Sequence, residues 1–224
     1  MTARRFAGRR ALVTGASRGI GAGIAERLAA EGADVVVVAR TLDSRDHRLA
    51  GSLLETQERL ARYGTRVEVL AADITDEVAR ESIVDRSAEL LGGHVEILVN
   101  NAAAAIYAPV ADVPLRRRRL MFEANVHAPL DLAQAAIPAM VAAWEGWIVN
   151  LSSGSARPWP GPPFELGVTG STITAYGASK AALNRMSNGL AAELHGTGVR
   201  VNTIEPRAAV MSEGAAELVG GLLR

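Results

Sequence analysis

The chain has 224 residues, 24 Lys+Arg against 24 Asp+Glu, 49% hydrophobic residues, 4% aromatics and no cysteine. Zero net charge gives no general pull on phosphate backbones, and so few aromatics offer no stacking platform, so nucleic acid is not an expected partner. Without thiols there is no disulfide framework, no thiolate metal site and no Cys nucleophile.

The length fits a single domain over residues 1–224. Arg4-Arg5 and Arg9-Arg10 are followed only by Ala11-Leu12-Val13 before Thr14-Gly15. That apolar run is too short for an export signal, so the arginines read as a basic, solvated N-terminus. No stretch approaches the ~18 apolar residues of a membrane span. The expected location is cytoplasmic, with no membrane partner.

Short β-rich runs alternate with longer helical patterns. Arg10–Thr14 reads as a strand, then a glycine-rich turn, then a helix over Ile20–Glu31 with Ile24 and Leu28 on one face. Val35–Val38 is a β-branched run suited to a strand buried on both faces. The pattern continues with helix Leu53–Tyr63, strand Arg66–Leu70, helix Asp76–Leu91 and strand Val95–Val99. A long helix is expected from Leu115 to Trp144, bent near Pro129 and Pro138. Strand Trp147–Leu151, helix Thr174–Leu194, strand Val199–Ile204 and a short helix Glu213–Leu223 complete the order. This alternation predicts an α/β fold with a doubly wound parallel sheet in three layers, its ligands on the rim formed by the strands' carboxyl ends. A proline-rich stretch at 157–170 reads as a surface loop.

The turn Thr14-Gly15-Ala16-Ser17-Arg18-Gly19-Ile20-Gly21 lies between the first strand and the first helix. Residues without a Cβ let a diphosphate approach the backbone, and the helix aims free N–H groups and its positive end at that charge. NAD selectivity usually rests on an acid at the end of the second strand. Here that strand ends in Arg40, and Arg18 sits in the turn itself; two guanidiniums there suit a 2′-phosphate and favour NADP(H). Gly15-Ala16-Ser17-Arg18-Gly19 also satisfies the hydrolase pattern G-x-S-x-G, although Gly21 has no task in that motif and only one strand precedes it.

Tyr176 and Lys180 stand four apart on one helix face. A free phenol titrates near pH 10, and a fixed cation nearby lowers that value; a drop of about 2–3 units corresponds to ~3–4 kcal/mol. The four histidines, His47, His94, His127 and His195, show no metal-ligand spacing, so no metal is expected. Arg116–Arg119 reads as a solvated surface rather than a nucleic-acid patch.

Taken with Asp73-Ile74, Asn100-Asn101-Ala102, Asn125, Ser152-Ser153 and Val199-Arg200-Val201-Asn202 leading to Pro206, these motifs run in the order of the short-chain dehydrogenase/reductase family, which the chain resembles from Thr14 to about Pro206. The resemblance implies a Rossmann-type fold and interconversion of a ketone and a secondary alcohol, a 3-oxoacyl thioester being one candidate. It implies Tyr176 as general acid/base, and Lys180 as holder of the nicotinamide ribose and depressor of the phenol pKa. Ser153, or its neighbour Ser152, would bond the substrate oxygen, and Asn125 would order a water on a proton path. Gly15, Ser17, Arg18, Gly19, Ile20, Gly21, Arg40, Asp73, Ile74, Asn101, Ala102, Ala103, Tyr176, Lys180 and Pro206 are the implied cofactor contacts. Bland readings stand beside these: Asn125 as a satisfied core amide, Asp73 as a turn cap.

The chain departs from the family's pattern at several points. Ala103 stands where a glycine is usual, and Arg207 follows Pro206. Ser153 and Tyr176 are unusually far apart, the extra residues falling in the proline-rich loop with Trp159 and Phe164. That loop either walls off a hydrophobic substrate or packs on the outer surface. A final strand is expected to be missing after Val199–Ile204, which would leave an open edge. The resemblance also implies a homodimer or homotetramer through the helices around Asn125 and Tyr176. A cofactor-binding chain that has lost catalysis, and the serine hydrolase, remain the alternative functions.

Overall fold

The structure is a computed structural model that describes residues 4–46, 49–166, 170–207, 210, 212, 213 and 216. Its strands are β1 (Arg10–Thr14), β2 (Asp34–Ala39), β3 (Val67–Ala71), β4 (Ile97–Asn100), β5 (Gly146–Leu151) and β6 (Val199–Ile204). They form one sheet in the order β3-β2-β1-β4-β5-β6, and every pairing is parallel. The order reverses between β1 and β4. That switch opens a crevice above the carboxyl ends of both strands, the place where an open α/β sheet takes its ligands.

The helices are α1 (Gly19–Ala30), α2 (Leu53–Ala61), α3 (Glu77–Glu81), α4 (Ile83–Leu91), α5 (Leu115–Phe122), α6 (Ala128–Ala142) and α7 (Thr174–Glu193). Alternation along the strands divides the core in two. Leu12, Val36, Val38, Leu70, Leu98, Ile148 and Val201 face α4, α6 and α7. Ala11, Val13, Val35, Val37, Ile97 and Val99 face α1 and α2. The four valines of β2 are fully buried, as a strand covered on both faces requires.

Several expectations need correction. The helix expected over Asp76–Leu91 breaks at Ser82 into α3 and α4, with Ser82 ending one helix and starting the next. The expected helix Leu115–Trp144 is not simply bent at its prolines: α5 and α6 are joined by a π-helical turn over Glu123–His127, and α6 ends at Ala142. Pro129 has no N–H to give to the carbonyl four residues back, that of Asn125, so the i→i−4 ladder fails there and the chain widens upstream of the proline. Arg9 and Arg10 are not a solvated tail. Arg9 Nη1 and the Arg10 backbone N–H both donate to the buried Glu96 carboxylate, at 2.8 and 3.0 Å, on the rim opposite the crevice.

Among the described residues β6 is the edge of the sheet. The expected helix Glu213–Leu223 lies outside the described residues except for Glu213 and Ala216, and so does nearly all of the stretch where a further strand would follow. No helix among the described residues is long and apolar enough to cross a membrane.

Candidate active site

The glycine turn leaves β1 and enters α1 with Gly15 at φ +67° and Gly19 at φ +57°, both left-handed, where a Cβ is strained. Gly21 is required for a different reason: a Cβ there would run into the Gly15 carbonyl and the Asn101 amide. A Cβ on Gly15 would lie 2.7 Å from Ala102 Cα. The task for Gly21 that a hydrolase elbow lacked is therefore to let α1 close on the turn. Arg18 at the N-cap makes no side-chain hydrogen bond to α1, and the first turn of α1 carries no acid of its own. A cradle of bare backbone at a helix N-terminus fits a dinucleotide diphosphate. Ser17 and Ile20 lie within this turn, and Ser212 and Glu213 lie over Gly19.

Asn101 locks the turn to β4. Its Nδ2 donates to the carbonyls of Thr14 and Gly15, at 2.9 and 3.1 Å. In return, the backbone N–H groups of Asn101 and Ala102 both donate to Thr14 Oγ1 at 3.1 Å. Ala103 is exposed and does not adopt a left-handed conformation, so alanine in place of glycine strains nothing there.

Both arginines reach the end of β2, but neither simply faces solvent. Arg18 donates to the carbonyls of Leu49, Ala50 and Gly51 and to Thr41 Oγ1, which ties the loop after β2 to the glycine turn. The Arg40 guanidinium is largely exposed and lies 3.7 Å from Asp73 Oδ2. Asp73 Oδ1 accepts from the Thr75 backbone N–H at 2.9 Å and from Thr75 Oγ1 at 2.8 Å, so the turn-capping role expected for it is real, with one oxygen left toward Arg40. Ile74 is buried beside it.

The other half of the site is built by β5, the π-turn and the start of α7. Ser153 caps a single 3-10 turn over Gly154–Ala156 by accepting from the Ser155 N–H at 3.2 Å. Gly177 admits that turn, because a Cβ there would strike the Ser155 carbonyl. This close approach brings Ser153 beside the Tyr176 phenol. Ser152 is buried instead, its hydroxyl without a partner among the described residues. Of the two adjacent serines, Ser153 is thus the one beside Tyr176.

Lys180 is 2% exposed, and its Nζ donates to the Leu151 carbonyl at 2.7 Å. Burial lowers its pKa to about 8. Burial also raises the Tyr176 phenol above its ordinary value, aided by Tyr107, while the neighbouring Ser153 pulls it down. The expectation that Lys180 depresses the phenol is not met here: the ammonium is turned onto the Leu151 carbonyl, and desolvation dominates at Tyr176.

Asn125 is fully buried and satisfied. Its Oδ1 accepts from the Ala104 N–H at 2.9 Å, and its Nδ2 donates to the Ala104 carbonyl and to Ser179 Oγ, both at 2.9 Å. Ser179 Oγ donates to the Tyr176 carbonyl at 2.7 Å. Asn125 is therefore a satisfied core amide that clamps the loop after β4 onto the turn of α7 carrying Tyr176. Pro206 follows the end of β6 on the same rim; Glu205 before it pairs with Arg157 at the root of the proline-rich loop.

Sequence reasoning missed Ala104, Tyr107 and Ser179. Tyr107 packs against Tyr176 with ring centroids 5.8 Å apart, and residues 104–108 wall the phenol with apolar surface. Only Ser179 carried a signal, its place between Tyr176 and Lys180. Trp159, Phe164 and Leu166 of the proline-rich loop are exposed.

A crevice at the sheet's switch point, with a glycine cradle on one side and a Ser–Tyr–Lys group on the other, defines a Rossmann-type fold. The sequence profile described as short chain dehydrogenase matches residues 9–218, and the chain belongs to the short-chain dehydrogenase/reductase family. It is similar to a short chain dehydrogenase of Pseudocercospora fijiensis (36% identical over 213 residues, 94% of this chain) and to hydroxysteroid dehydrogenase-like protein 2 of Mus musculus (32% over 223 residues, 97% of this chain). The chain spans 62% and 42% of the length of these two relatives. A solved short chain dehydrogenase from Burkholderia cenocepacia J2315 in complex with NADP superposes with a TM-score of 0.76 at 36% identity, covering 90% of this chain and 75% of that one.

Proposed function

We propose that this chain is an NADP(H)-dependent oxidoreductase that interconverts a ketone and a secondary alcohol, with Tyr176 handling the proton. The observation that carries the reading is the Ser153 side chain set beside the Tyr176 phenol and a buried Lys180, on the rim that bears the glycine cradle.

Gly15, Ser17, Gly19, Ile20 and Gly21 would hold the diphosphate, Arg18 and Arg40 the 2′-phosphate, and Asp73 and Ile74 the adenine. Asn101, Ala102, Ala103 and Pro206 would line the nicotinamide side. When bound, the nicotinamide supplies or accepts the hydride. The chain's own residues do the rest. Ser153 holds the substrate oxygen toward Tyr176. A phenol with a raised pKa holds its proton at neutral pH and can give it to an alkoxide forming on that oxygen. Lys180, with its pKa near 8, is mostly an ammonium at pH 7 and would hold the nicotinamide ribose. With its side-chain amide satisfied, Asn125 would order a water through its backbone carbonyl, the one Pro129 cannot serve, on the path that returns the proton from solvent. Ile106 and Tyr107 keep the phenol dry on its other side.

The apolar surface beside Tyr176 and the Trp159/Phe164 loop support a hydrophobic ketone as substrate. NADPH fluorescence quenching and turnover over a panel including a steroid ketone and a 3-oxoacyl thioester test this. Tyr176→Phe should keep NADPH binding and lose turnover. Full ketone turnover by that variant would sink the mechanism, and NADPH binding without turnover of any ketone would favour the catalytically impaired alternative. A second copy of the chain is taken to pack on the face where Leu130, Ile137, Met186 and Leu190 of α6 and α7 line an open groove.

A further inference from the structure

One buried cation has no task in the reading above. Arg80 on α3 is 4% exposed. Its Nη1 donates to the Ile74 carbonyl at 2.6 Å and to Glu123 Oε1 at 2.7 Å. Its Nε donates to Asp131 Oδ2 at 2.8 Å, and Nη2 forms an ion pair with the same oxygen at 2.6 Å. Burying a guanidinium carries a desolvation cost that an apolar side chain of similar volume would avoid. What the planar fork does, and an apolar side chain cannot, is fix several acceptors in directed geometry.

The three partners belong to different parts of the site. Ile74 lies in the turn after β3, beside Asp73 and Arg40. Glu123 opens the π-turn, two residues before Asn125. Asp131 lies in the first turn of α6, just past that π-turn. A π-turn is a place where helical register can slip by a residue, and here Arg80 pins the helix on both sides of it. A one-residue slip would turn the Asn125 amide away from Ala104 and Ser179.

We infer that Arg80 is a positioning residue, holding the π-turn in the register that places Asn125 while tying it to the turn after β3. This rests on the reading of Asn125 and of the Asp73–Ile74 turn given under the proposed function. Through Arg80, the adenine side of the crevice and the proton side share one fixed point.

Arg80→Met, Arg80→Lys and Glu123→Gln in the full chain test the assignment, with NADPH dissociation constant, kcat, ketone KM and the Asn125 side-chain amide NMR signal as readouts. In Arg80→Met, kcat should fall about tenfold or more with ketone KM little changed, and NADPH should bind several-fold more weakly. Glu123→Gln, which removes the charge from the π-turn arm alone, should lower kcat while leaving NADPH affinity within about twofold. Arg80→Lys should restore part of the kcat, since it keeps the charge but not the fork. The Asn125 amide signal, assigned by its loss in Asn125→Ala, should move in the cofactor-free Arg80→Met and Glu123→Gln proteins. A lowered melting temperature with kcat and the Asn125 signal both unchanged would make Arg80 purely structural and overturn the assignment. Should Arg80→Met not fold, Glu123→Gln decides by the same signal, because the Glu123 side chain is one-third exposed. A parent protein that neither binds NADPH nor reduces ketones would overturn the functional reading instead; the Asn125 signal of the free chain still judges Arg80.

Discussion

Replacing Lys180 with Met tests the burial of the ammonium beside Tyr176. Burial takes the Lys180 pKa from 10.5 to about 8, and one hydrogen bond to Leu151 is the compensation the fold offers. A lysine with a depressed folded-state pKa binds its proton more tightly in the unfolded chain. The folded state is therefore penalised wherever the unfolded chain is still protonated. The penalty is full below about pH 8, fades between there and 10.5, and is gone above that, so stability from this group rises with pH across the window. At 1.36 kcal/mol per unit, the shift costs ~3 kcal/mol at pH 7 and ~1 kcal/mol near pH 9.5. Met keeps most of the length and removes the charge. In urea unfolding at the two pH values, other groups largely cancel in the difference between parent and variant. The stability of Lys180→Met relative to the parent should then fall by ~2 kcal/mol from pH 7 to pH 9.5. A difference that does not change with pH would refute the burial of a protonatable ammonium at this position.

Arg40→Asp should weaken NADPH binding about tenfold or more and turn the preference toward NADH, since it replaces the exposed guanidinium beside Asp73 with an acid at the end of β2; unchanged preference in steady-state kinetics would refute the 2′-phosphate assignment. Trp144 holds φ +55° just past α6 and is 72% exposed, so Trp144→Gly should relieve ~1 kcal/mol of left-handed strain and raise the melting temperature by a few degrees in calorimetry. Met186→Glu places a charge in the groove between α6 and α7 and should shift the proposed homo-oligomer to a monomer in light scattering, with NADPH affinity preserved.

The strands and their order were legible because periodicity and composition are local. Four consecutive valines announce a doubly covered strand, and strand–helix alternation dictates a parallel sheet. The tyrosine and lysine of α7 were legible because four residues is one helical turn. Contacts made across the chain were not. Arg80 reads as an ordinary helix-surface charge until Glu123 and Asp131, 43 and 51 residues later, close on it. Pro129 signalled a defect in the long helix, but the defect lies upstream, at the carbonyl the proline cannot serve. Arg18 was legible as a cation in the turn, yet its engagement with the carbonyls at 49–51 depends on a loop whose path no local pattern sets. Ser153 could be told from Ser152 only through the packing of its 3-10 turn against Gly177.

The Asn101 clasp has a consequence for transplanting this turn into another scaffold. Because one side-chain amide holds the carbonyls of Thr14 and Gly15, and Thr14 Oγ1 takes two amides in return, residues 14–21 are only half of a two-piece part. A chimera that grafts the glycine segment alone would inherit two carbonyls and a hydroxyl made for partners on a different strand. The smallest portable unit spans β1 through Gly21 together with the tip of β4.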